Sequence, residues 1–87
     1  MTGKKLLEQS IATIEERGKV YGTARDNFDM IAKRWSLTLG VEVTSTQVGL
    51  MMIDLKVARL QKSPDHYDSI VDIAGYAACL ADLTNKV

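Results

Sequence analysis

One cysteine, one proline, one histidine and few aromatics are what this 87-residue chain has to offer where side-chain chemistry is usually sought. A lone Cys79 rules out an internal disulfide, and its neighbours Ala77, Ala78, Leu80 and Ala81 suit a small buried thiol in a reducing compartment. A lone His66, set in a Ser63-Pro64-Asp65-His66 turn, leaves no zinc site of His and Cys and no recognisable triad. Neither a Walker-type phosphate loop nor a glycine-rich dinucleotide fingerprint is present, so any phosphate binding must come from side chains and helix ends. Charge of one sign is missing too. Eleven basic residues cancel eleven acidic ones, which argues against duplex DNA or an anionic membrane as partner. No apolar run reaches the roughly 18 to 20 residues of a membrane-spanning helix, and no charged-then-apolar leader opens the chain. These absences leave a cytoplasmic protein with no nucleic-acid or membrane partner.

What remains is helical periodicity. Leu7, Ile11 and Ile14 place a first helix over residues 4–17, closed by Gly18 as a C-terminal cap, with residues 19–22 as a short connection. Thr23 with Asp26 resembles a capping arrangement for a second helix, whose stripe of Phe28, Ile31, Ala32, Trp35 and Leu39 ends at Gly40. Residues 41–43 read as a brief extended piece. Thr44 or Ser45 then caps a third helix running to about Lys62, which Pro64 ends, and a fourth covers residues 68–85 with Asp68 near its positive end. The expected fold is one all-α domain over residues 1–87, a small four-helix bundle that buries only about 60% of its unfolded surface as a monomer. Of the thirteen residues at 48–60 nine are apolar, and of the fourteen at 70–83 eleven are, so both stripes are wide enough to face two neighbours. That width predicts a homodimer or higher homo-oligomer built on the third and fourth helices.

Two positive charges interrupt the third stripe. Gln47, Asp54 and Gln61 lie seven residues apart on the solvent face, and at about 100° per residue Lys56 and Arg59 project from roughly the opposite side. An unpaired buried charge costs several kcal/mol. The fourth helix offers Asp68 and Asp72, one turn apart, as partners. Each group has two readings. Lys56 and Arg59 either grip phosphate oxygens or lay their stems along apolar surface with the heads outside. Asp68 and Asp72 either hold Mg²⁺ through two carboxylates, or serve as a helix cap and a salt-bridge partner. Tyr76, four residues after Asp72, is a wall for a base or a core tyrosine, and Asn27 beside the Tyr21-Gly22 turn suits a base edge or a ribose hydroxyl. Trp35 is most simply core.

The blocks Arg17-Gly18-Lys19-Val20-Tyr21-Gly22, Asn27-Phe28, Trp35, Lys56-Val57-Ala58-Arg59-Leu60 and the run from Pro64 to Tyr76 together resemble a family of short phage and prophage proteins of unassigned function. The last block is also similar to the final helix of the MazG-like all-α nucleoside triphosphate pyrophosphatases. That second resemblance implies an oligomeric helical bundle that binds a nucleotide through Mg²⁺ and splits off pyrophosphate. The chain departs from the MazG-like glutamate pattern: Asp72 takes the final Asp, Ser69 stands where the preceding Glu belongs, and Met51, Met52 and Leu55 occupy the earlier acidic positions. The departure favours holding a nucleotide or nucleotide-derived small molecule over cutting it, with Lys56, Arg59, Asp68, Asp72, Tyr76 and Asn27 as the site. A Mg²⁺-dependent pyrophosphohydrolase with Asp68 and Asp72 as ligands is the alternative, and a non-catalytic interaction module is the third.

Overall fold

Threonine starts three of the four helices. In the computed structural model, which describes residues 2–84, α1 (Gly3–Tyr21) opens on Thr2, whose hydroxyl accepts from the Lys5 N–H at 3.2 Å. Helix α2 (Ala24–Leu39) opens on Thr23, accepting from the Asp26 N–H at 3.1 Å. For α3 (Ser45–Lys62) the box is complete: Thr44 accepts from the Gln47 N–H at 3.1 Å while Gln47 Oε1 accepts from the Thr44 N–H at 2.9 Å. Each cap satisfies an amide that the helix cannot, and such a cap is worth about 1 kcal/mol. Helix α4 (Tyr67–Thr84) lacks a threonine and uses His66, whose Nδ1 accepts from the Ser69 N–H at 3.3 Å and lies 2.7 Å from the Ser69 hydroxyl.

Glycine closes the first two helices. Gly40 takes the left-handed conformation at φ 73° and sends its N–H to the Ser36 carbonyl, as the spacing predicts. The end of α1 differs from its expected place. The helix runs through Gly18 to Tyr21, and Gly22, at φ 79°, donates to the Gly18 carbonyl at 3.1 Å. Both glycines can stop a helix, but only Gly22 abuts the next N-cap, so the reversal falls there. Residues 41–43 form no strand; Ser36 holds them through its hydroxyl, which accepts from the Val43 N–H at 2.8 Å. The expected last residue of the fourth helix, Asn85, lies outside the described residues.

The helices assemble around α4, which packs against all three others and most extensively against α3, while α1 and α2 scarcely touch. Phe28, Ala32 and Val48 form the buried centre, ringed by Ile31, Trp35, Met52, Tyr76, Cys79 and Leu83. Each large apolar side chain so buried contributes roughly 1.5–3 kcal/mol. Gly49 leaves room for the Leu80 side chain of α4: a Cβ there would stand 2.6 Å from Leu80 Cδ2 and 3.3 Å from the Phe28 ring. At the other side of α4, Ser10 is buried and its hydroxyl donates to the Leu6 carbonyl at 2.9 Å, with the Val71 carbonyl at 3.5 Å. No helix among the described residues is long and apolar enough to cross a membrane.

Candidate functional site

Lys56 occupies the middle of the face that α3 turns to its neighbours. Ser45, Gly49, Met52 and Leu60 fall within about 40° of it around the helix, and all are buried or half-buried. The lysine itself is 9% exposed. Its ammonium lies 3.1 Å from Asp72 Oδ2, with both side chains mostly out of water. The other carboxylate oxygen of Asp72 accepts from Arg17 Nη2 at 3.5 Å, across from α1. One carboxylate thus joins three helices. Taking these charges out of water would cost several kcal/mol per ion without their partners, so the pair ties α3 to α4 while adding little net stability, and removing one partner would strand the other.

Of the four charges Lys56, Arg59, Asp68 and Asp72, the structure brings only Lys56 and Asp72 together. Arg59 sits about 60° round α3 from Lys56, is exposed, and pairs with no carboxylate among the described residues. Asp68, in the first turn of α4, is also exposed and makes no ion pair among the described residues. The third charge of the cluster is Arg17, a residue the spacing on α3 and α4 could not point to.

Because α1 and α2 diverge, a cavity of about 730 Å³ opens between them over the second half of α4, with Met52 of α3 at its base. Tyr21, Phe28, Ile31 and Tyr76 supply its apolar and aromatic walls, and the Phe28 and Tyr76 rings lie 6.3 Å apart, tilted by 41°. Asn27, Thr13, Arg17, Asp72 and Asp82 supply its polar groups. Small residues keep it open: at Gly18 and Gly75, both in the wall, a Cβ would meet nothing within 4 Å. At the far end, Arg25 donates to the Asp82 and Leu83 carbonyls at 3.3 and 3.0 Å and ties α2 to the last turn of α4. Burial pushes the Tyr76 hydroxyl above its ordinary range, Arg17 opposing and Asp72 adding to the effect. Burial likewise pushes the Cys79 thiol up, with Asp82 adding to it.

Of the residues singled out from sequence, Asn27, Asp72 and Tyr76 line this cavity, and Lys56 stands behind Asp72 as its ion-pair partner. Arg59 and Asp68 are not in the wall. The Mg²⁺ that a MazG-like relationship implies finds a thin donor set. Both Asp72 oxygens already face cations, Asp68 stands outside the cavity, and among the described residues no three His, Cys, Asp or Glu side chains converge. The residues of one chain do not fit that ion.

The family model described as "Domain of unknown function (DUF6378)" matches residues 5–84, which include every residue of the cavity wall. The chain belongs to this family. The DUF6378 chain is 46% identical over 66 residues to the Gene 55 protein of Mycobacterium phage L5, an alignment covering 75% of this chain and 42% of that protein. It is 40% identical over 78 residues to the Gene 55 protein of Mycobacterium phage D29, covering 88% of this chain and 52% of that one. The chain therefore spans about half the length of the curated relatives it matches. No solved structure matches it.

Proposed function

We propose that this DUF6378 protein binds a nucleotide or nucleotide-derived small molecule in the cavity between α1, α2 and α4. The observation that carries this reading is the composition of the wall: aromatic Tyr21, Phe28 and Tyr76, an amide at Asn27, and the Arg17–Asp72 ion pair around about 730 Å³. That size lies within the roughly 300–1,000 Å³ of ordinary ligand sites, and mostly apolar walls with a few polar groups are what such sites use. Holding rather than hydrolysing follows from the poor metal donor set. Sequestration of a nucleotide signal inside an infected or lysogenic cell fits the phage relatives. Calorimetric titration with nucleotides and with cyclic and ADP-ribose-type signals tests it, and silence across that panel would sink it. In the MazG-like alternative Asp68 and Asp72 gain further acids from another subunit; Mg²⁺-dependent pyrophosphate release, lost in Asp72→Asn, would favour it.

The same reading includes self-association through α3 and α4. The chain exposes 6240 Å², whereas a compact monomer of 9.6 kDa exposes about 5,100 Å². The excess is of the order of the roughly 800 Å² that each partner buries in a standard interface. On α3 the apolar side chains Leu50, Met51, Leu55 and Val57 flank the Lys56 face and remain about half exposed. Sedimentation of the native chain should give at least a dimer mass, and Leu55→Glu should shift it to the monomer. A native monomer at tens of micromolar removes this part of the proposal.

A further inference from the structure

The two bonds to Asp72 are unequal, and the inequality carries a ligand class. Lys56 is close, at 3.1 Å, with a side chain 11% exposed; Arg17 is at 3.5 Å, with a side chain 53% exposed at the cavity wall. If Arg17 swings away, Asp72 keeps Lys56 and no buried charge is stranded. Arg17 is thus the releasable cation. Among the described residues it is also the one basic residue of the wall, since Lys56 stands behind Asp72 and Arg25, outside the wall, is tied to the Asp82 and Leu83 carbonyls. A triphosphate, with several negative charges, would thus meet a single cation able to turn toward it. A planar base meets Tyr21 and Tyr76 instead, with Asn27 able to donate to and accept from its edge.

Resting on the nucleotide-binding reading above, we infer that the cavity selects the nucleoside part of its ligand and tolerates at most a single phosphate, which Arg17 grips after leaving Asp72. Lys56 serves as a positioning residue that keeps Asp72 in place when Arg17 turns outward. Gly75 and Gly18 hold open the space that the base and sugar fill.

The test is calorimetry on the full chain with adenosine, guanosine, cytidine and uridine, their 5′-monophosphates and their 5′-triphosphates. At least one nucleoside should bind, and its monophosphate should bind about two- to fivefold tighter, the gain an exposed ion pair provides. The triphosphate should bind no tighter than the monophosphate. Arg17→Gln should erase the monophosphate advantage, so that nucleoside and monophosphate bind alike, and Gly75→Leu should abolish binding of both. Protection of Cys79 from maleimide by the bound nucleoside gives a second readout on the native chain, independent of whether Gly75→Leu folds. A triphosphate about tenfold tighter than its monophosphate, or an unchanged preference in Arg17→Gln, would overturn the inference and leave the nucleotide-binding reading standing. No heat from any nucleoside or nucleotide would remove that reading as well. If Gly75→Leu changes the sedimentation mass while the native chain binds nothing, the cavity is a seam between copies.

Discussion

The two sides of α4 are built on opposite terms. Toward α3, the Leu80 side chain fills the space beside Gly49 so closely that a methyl group there would collide with it, and the Lys56–Asp72 pair ties the two helices together. Toward α1 and α2, Gly18 and Gly75 face open space, and Arg17, which reaches Asp72 from α1, is half in water. The same residue type serves both sides. In the seam glycine removes an obstacle between helices; in the cleft it leaves a volume unfilled. A chain with so few large buried side chains has little core to spare, so the extensive seam with α3 carries much of what holds α4 in place.

The largest effect should come from the seam. Lys56→Met leaves Asp72 nearly buried with only the longer Arg17 contact, and a urea melt should record a loss of about 3 kcal/mol. Adding Asp72→Leu should recover most of it, because both charges are then gone. A single-variant loss below about 1 kcal/mol would mean that the pair is not what holds the seam. The glycines come next and should move in opposite directions. Gly49→Ala gains about 1 kcal/mol of helix propensity but overpacks by about 1–3 kcal/mol against Leu80 and Phe28, for a net loss. Gly75→Ala meets no neighbour and should raise stability by about 0.5–1 kcal/mol. Equal signs for the two would erase the distinction between seam and cleft. At the seam's end, His66→Ala should cost about 1 kcal/mol by freeing the Ser69 amide, whereas His66→Asn should fall within a few tenths of the native chain.

Element boundaries were largely legible because caps are local chemistry: Thr23, Gly40 and Thr44 each act within four residues of themselves. Gly18 misled for the same reason, since what distinguishes it from Gly22 is the helix that begins afterwards. Lys56 was legible as a charge on the inner side of α3 because it lies opposite the stripe of Gln47, Asp54 and Gln61. Arg59, three residues on, was read with it, yet a rotation of about 60° is enough to carry a long side chain into water. Arg17 was illegible as a partner because it reaches Asp72 across 55 residues of chain, and periodicity carries no information about which helices become neighbours. The Tyr21-Gly22 end of the block from Arg17 to Gly22 does lie in the cavity wall, but its pattern gives Arg17 no partner. The cavity itself follows from the divergence of α1 and α2, a property of packing angles rather than of any one stripe.

The smallest expected effect belongs to the cleft wall. Tyr76 and Cys79 both lose hydration there, so their acidities are weaker in the folded chain than in the unfolded one. Between the two values the folded state holds a proton that the unfolded state has released, and folding is favoured by protonation. This contribution is fully present below the unfolded values, near 9.0 for Cys79 and 10.0 for Tyr76, and is lost as pH rises through the higher folded values. Urea midpoints should therefore decline gently above pH 9, and the decline should shrink in Cys79→Ala. Maleimide should also react with Cys79 more slowly at pH 8 in the folded chain than in urea, since fewer thiolates are present. A folded-state rate equal to that of the unfolded chain would mean that the wall is wetter than its geometry allows, and the cleft would then differ from bulk surface in shape alone.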